Sequence, residues 1–105
     1  MSTPARDNSP ILSDFAGDPD MRELVEFFVE QMPQRVRALQ DSFENGALED
    51  VRSIAHQLKG AGGSYGFPQI TESARALEVQ ADNADIDAVR QSIDELIAIC
   101  NRTAV

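Results

Sequence analysis

The stretch that decides the reading is Ala55-His56-Gln57-Leu58-Lys59-Gly60-Ala61-Gly62-Gly63-Ser64-Tyr65-Gly66. It holds the only histidine of the chain and four of its six glycines. Leu48, Val51, Ala55, Leu58, Gly62 and Tyr65 recur at offsets 0, 3, 7, 10, 14 and 17, the period of a helix with one buried stripe. Against that period the glycines stand out. Each glycine inside a helix costs up to about 1 kcal/mol relative to alanine, so Gly60, Gly62 and Gly63 together cost roughly 2–3 kcal/mol, a large share of a small domain's stability. A sequence that breaks a propensity rule so densely has a packing or functional reason for it.

The surroundings of His56 suggest one. On a helix, residues three, four and seven apart share a face. The face of His56 carries Arg52 and Ser53 one turn before it, Lys59 and Gly60 one turn after, and Gly63 two turns after. It lies about 100° around the helix from Ala55, beside the core rather than in it. A nucleophile, two nearby cations and bare backbone make a coherent place for a phosphoryl group. A structural histidine, a solvated lysine and glycines used for helix packing are the bland alternative for the same residues, and Gly62, on the apolar stripe, fits that alternative best.

His56-Gln57-Leu58-Lys59-Gly60, followed by small residues and Gly66, resembles the histidine-containing phosphotransfer (HPt) domain of bacterial phosphorelays, over a region from about Asp18 to the last residue. The resemblance implies a four-helix bundle, reversible phosphorylation of His56, and stabilisation of the phosphoryl oxygens by Lys59. It implies receiver domains of response regulators, or a hybrid histidine kinase, as partners. Gly62 and Gly63 depart from the family pattern, in which small alanine or serine residues are common at these places.

The rest of the chain supplies the scaffold. Asp18-Pro19-Asp20 reads as a helix start, an acid at the N-cap with proline behind it. Met21, Val25, Phe28, Met32, Val36, Leu39 and Phe43 then keep one stripe across Pro33, where a kink or brief break is expected. Leu24 and Phe27 widen this apolar face, and Asn45-Gly46 ends the helix. The central helix runs from about Leu48 to Ser64 or Tyr65. Gly66-Phe67-Pro68 forces a turn, with Gly66 as its positive-φ residue. A third helix buries Ile70, Ala74, Leu77 and Ala81 and stops at Asp82-Asn83. A fourth begins near Asp85 and buries Ile86, Val89, Ile93, Leu96, Ile97 and Cys100. Short connections between long amphipathic helices predict an all-α, antiparallel up-and-down four-helix bundle over residues 18–105. Residues 1–17 form a disordered or strap-like segment, disordered over about the first ten, with Ile11, Leu12 and Phe15 laid across one end of the bundle.

Simple arithmetic adds a further candidate. In an antiparallel hairpin, residues equally far from the turn face each other. His56 lies eleven residues before Phe67 and Glu78 eleven after, each about 16 Å along its helix. Glu78 is placed to accept a hydrogen bond from His56 Nδ1, which would leave Nε2 as the nucleophile; a solvated helix residue is the alternative. Arg52, Gly60, Gly63 and Phe67 are candidates for a partner-docking surface around the histidine, Phe67 being otherwise a core or rim aromatic.

Composition bounds the function. In 105 residues with a net charge of −9 there is room for one domain, and no basic surface for nucleic acid. No apolar run approaches the length of a membrane span, and the first residues lack the apolar core of a signal peptide, so the expected location is the cytoplasm. One histidine and one cysteine supply no metal site, and Cys100 reads as a buried, inert thiol. No glycine-rich nucleotide loop is present. The expected protein is a monomeric phosphoryl carrier without cofactor or kinase activity of its own, with Mg²⁺ supplied by the receiver. Two rivals remain: a non-catalytic helical bundle that binds a signalling partner and never carries phosphate, and an enzyme using His56 as a general base, which lacks a second catalytic group.

Overall fold

The computed structural model describes residues 9–105. Four helices follow one another: α1 (Arg22–Glu44), α2 (Leu48–Ser64), α3 (Pro68–Asp82) and α4 (Ile86–Arg102). Two short strands, β1 (Ile11–Leu12) and β2 (Thr103–Ala104), flank them and pair in parallel, Ile11 with Thr103 and Leu12 with Ala104. The expected disorder of the first ten residues falls mostly on residues 1–8, which lie outside the described residues.

The helices alternate in direction. Phe28, early in α1, stacks on Tyr65 at the end of α2 with ring centroids 4.7 Å apart. The Arg90 guanidinium, early in α4, lies over the ring of Phe43 at the end of α1. Between α2 and α3, Arg52 meets Asp82 and His56 meets Glu78, each pair symmetric about Phe67. The result is the up-and-down bundle. Its core is the set of stripes legible in the sequence: Val25, Phe28, Met32, Val36 and Leu39 from α1, Val51, Ala55 and Leu58 from α2, Ile70, Ala74 and Leu77 from α3, Val89, Ile93, Leu96 and Cys100 from α4.

Several expectations are corrected. Helix α1 starts at Arg22 rather than at Asp18. Residues 13–21 instead form successive turns, with Ala16 N donating to Ser13 O, Asp18 N to Phe15 O and Met21 N to Asp18 O. The Asp18 carboxylate accepts from Asp20 N within one of these turns, so it closes a local loop and caps no helix. Helix α1 is continuous through Pro33. Leu24 and Phe27 do not extend the core and are about half exposed, at 48% and 55%. Ile86, the first residue of α4, is also exposed, whereas Ser92 takes a buried place on that helix. Phe67 is fully buried and stacks against Phe28, which removes it from any docking surface.

One end of the bundle is tied together by the segment before α1. Ser13 Oγ donates to Tyr65 O at 2.6 Å, and Asp14 N donates to Gly66 O at 2.8 Å. Gly66 takes φ +81°, and a Cβ there would overlap Ser13 Oγ and crowd the Phe15 ring. Gly60 is the opposite case, a helical glycine around which a Cβ would meet nothing within 4 Å. Gly66→Ala is therefore expected to lower stability by about 2 kcal/mol or more, through positive φ and overlap together. Gly60→Ala is expected to raise it by about 0.5–1 kcal/mol. Urea unfolding of both variants, followed by far-ultraviolet circular dichroism, measures the two signs.

Candidate functional site

The sequence places a polar row on α3 that faces α2. Thr71, Glu78 and Asp82 stand at offsets 0, 7 and 11, one face of the helix. Opposite them, α2 presents Arg52, His56 and Lys59. The helices pair these residues in order. Arg52 Nε makes an ion pair with Asp82 Oδ1. His56 Nδ1 lies 3.0 Å from Glu78 Oε2, and Lys59 Nζ lies 2.6 Å from Glu78 Oε1. The Thr71 hydroxyl donates to the Lys59 carbonyl oxygen at 2.8 Å.

One carboxylate thus serves two partners with its two oxygens. Its side chain is largely covered (12% exposed), that of Lys59 is 31% exposed, and that of His56 stands well out of the surface at 67%. An ionised carboxylate only accepts, so the hydrogen on this edge of the neutral imidazole sits on Nδ1. Nε2 is left with its lone pair. The Lys59 ammonium is the main cause that holds the Glu78 carboxyl below the usual carboxylate range; partial desolvation works against it, and the contact with His56 adds to it.

The other candidates divide. Gly60 and Gly63 leave the flank beside His56 bare: a Cβ at Gly60 would touch nothing within 4 Å, and one at Gly63 would reach only the Thr71 hydroxyl at 3.8 Å. Gly62 has a different role. A Cβ there would come within 2.9 Å of Thr71 N and 3.0 Å of Phe67 O, so α3 lies against bare α2 backbone. Arg52 is on the same flank as His56 but is engaged by Asp82. Phe67 lies beneath the turn, in the core. Asp82 and Thr71 were missed in the sequence. The count that pairs His56 with Glu78 also pairs Arg52 with Asp82, fifteen residues either side of Phe67, so the signal for Asp82 was present. Thr71 carries no such signal, because its fit against Gly62 depends on the distance between the two backbones.

Cys100 is 1% exposed, and burial pushes its thiol up to about 12, where it is not a nucleophile at neutral pH. Among the described residues, no group of three or more His, Cys, Asp or Glu side chains could hold a metal ion, and no helix is long and apolar enough to cross a membrane.

Because the Glu78 carboxyl is held low when folded, its stabilising contribution is present above the carboxylate range of the unfolded chain and is lost as pH falls through the folded value. The stability difference between the wild type and Glu78→Gln is therefore expected to narrow as pH is lowered from about 6 to about 3. Chemical denaturation across that range checks this; a constant difference would contradict the pairing.

A family model, that of the Hpt domain, matches residues 23–102, the span of the four helices. No curated protein and no solved structure matches the chain.

Proposed function

The chain belongs to the Hpt domain family, the histidine phosphotransfer carriers of phosphorelays, and on that premise we propose that His56 accepts a phosphoryl group from the aspartyl phosphate of a receiver domain and passes it to a second receiver. The observation that carries this reading is the Glu78 carboxylate shared between His56 Nδ1 and Lys59 Nζ.

The step follows from that arrangement. The Nε2 lone pair attacks phosphorus in line, an N–P bond forms, and the P–O bond to the receiver's aspartate breaks with its electron pair leaving on the carboxylate. No proton need move, because Nδ1 keeps its hydrogen toward Glu78. The ring gains positive charge as it bonds to phosphorus, and the Glu78 carboxylate already faces that charge. Lys59 is held beside the histidine as a flexible point charge. As the phosphoryl oxygens arrive, its ammonium can turn from Glu78 toward them. Transfer to the second receiver is the same displacement in reverse.

The partner brings what this chain does not provide. Mg²⁺ and the remaining charge neutralisation belong to the receiver's acidic site. The bare backbone at Gly60 and Gly63 admits the receiver close to Nε2. Arg52, paired with Asp82, lies on the rim of the same surface. The chain acts as a monomeric carrier in the cytoplasm and phosphorylates nothing by itself.

The test is phosphoryl transfer from a labelled, phosphorylated receiver. The wild type is expected to take up label as an acid-labile, base-stable adduct, and His56→Gln to take up none. Lys59→Ala is expected to transfer on the order of 100-fold more slowly, the loss of one stabilising charge at the reacting group. Gly60→Ala, although more stable, is expected to be slower. Wild-type protein that stays unlabelled by a broad panel of receivers would return the chain to the rival reading, an interaction module that carries no phosphate.

A further inference from the structure

The helix that carries His56 is weakest in its own backbone just after Lys59. Gly60, Gly62 and Gly63 fall within one turn after Lys59, and each adds backbone freedom that alanine would remove. Yet Glu78 must satisfy two partners at once, at 3.0 Å and 2.6 Å, with its oxygens fixed to one planar group. A change of a few tenths of an ångström between α2 and α3 would favour one partner over the other. Something must hold the two backbones in register.

Two observations meet at Thr71. Its hydroxyl donates to the carbonyl oxygen of Lys59 at 2.8 Å, a bond from an α3 side chain to the α2 backbone at the residue whose ammonium serves the site. Its own backbone nitrogen and hydroxyl lie over Gly62, so close that a Cβ there would stand 2.9 Å and 2.7 Å from them. The glycine makes the hollow, and the threonine fills it and ties it. Thr71 stands two turns before Glu78 on the same face of α3, about 10 Å away along the helix. A bond that fixes the axial and lateral position of α3 at Thr71 therefore fixes where the Glu78 carboxylate arrives.

We infer that Thr71 is a positioning residue for the phosphotransfer site: its hydroxyl, seated against Gly62 and bonded to the Lys59 carbonyl, sets the α2–α3 register that lets Glu78 hold His56 Nδ1 and Lys59 Nζ together. It touches neither the phosphoryl group nor the imidazole and acts through Glu78. The kinetic part of this inference rests on the phosphotransfer reading above; the geometric part stands without it.

Threonine and valine have nearly the same shape, so Thr71→Val keeps the volume and removes the bond. It also puts a methyl group where an oxygen now lies 2.8 Å from a carbonyl oxygen, which drives the helices apart. Thr71→Ser keeps the hydroxyl. The first readout is the ¹⁵N chemical shifts of the His56 ring in the full chain, taken about two pH units above the usual histidine range. They report which nitrogen carries the proton. The wild type and Thr71→Ser are expected to carry it on Nδ1, and Thr71→Val to show a mixture with Nε2. The second readout is transfer from a phosphorylated receiver, expected to slow roughly 10-fold in Thr71→Val, part of the roughly 100-fold that a 1 Å misplacement can cost, and to recover in Thr71→Ser. Circular dichroism confirms that each variant is folded, and Gly62→Ala serves as a second probe, expected to disturb the same ring signals from the α2 side.

A folded Thr71→Val with wild-type tautomer signals would overturn the inference, as would a Thr71→Ser that behaves like Thr71→Val. If the tautomer shifts as expected while wild-type protein accepts no phosphoryl group from any receiver, the positioning role stands and the phosphotransfer reading fails.

Discussion

A single carboxylate with two oxygens and two partners is the constraint on which the rest of this structure depends. Glu78 must stand between an imidazole and an ammonium that lie one turn apart on the neighbouring helix. Removing the histidine contact would leave the tautomer undetermined, and removing the lysine contact would leave a largely covered carboxylate without a full charge partner. Meeting both requires that α2 and α3 run antiparallel, at one register and one spacing. Much of the remaining sequence serves that requirement. Gly66 and Pro68 make the turn that sets the register, Gly62 sets the spacing, and Thr71 and Asp82 join the two helices above and below the site.

The division of labour between core and surface follows from the same geometry. The buried stripe Val51, Ala55, Leu58 and Gly62 fixes the rotation of α2 about its axis. That rotation turns His56 outward, beside the core but exposed, while Lys59 lies against α3. Phe28 of α1 stacks on Tyr65 and lies over Phe67, and the segment at Ser13 and Asp14 bonds the carbonyls of Tyr65 and Gly66. The end of α2 is thus held from two sides. A helix with three glycines in one turn would otherwise be free to fray there, and this clamp offsets their cost where α2 meets the turn.

The bundle was legible because its evidence is periodic. Each helix writes its buried face into the chain every three or four residues, and the glycine and proline at the α2–α3 turn mark the boundary between those helices. Glu78 was legible for a related reason: a tight antiparallel hairpin converts distance along the chain into position across the helices. What escaped had no such period. The start of α1 depended on whether Asp18 would cap a helix or close a turn, and both uses place the same residue in the same kind of sequence. Leu24 and Phe27 are apolar but about half exposed, which a single helix pattern does not register. Phe67, beside the turn, fits core or rim equally by pattern, and its stacking against Phe28 is what places it in the core. The pairing of Thr71 with Gly62 needed the distance between two backbones, a quantity set by the fit of both helices and written in neither alone.

The contact between Glu78 and His56 Nδ1 leaves Nε2 as the atom proposed to carry phosphorus. The most direct measurement is nuclear magnetic resonance of the phosphorylated, ¹⁵N-labelled full chain, observing the scalar coupling between ³¹P and the two ring nitrogens of His56. Coupling to Nε2 is expected, with Nδ1 still protonated toward Glu78. Phosphorus bonded to Nδ1, or to a residue other than His56, would contradict it.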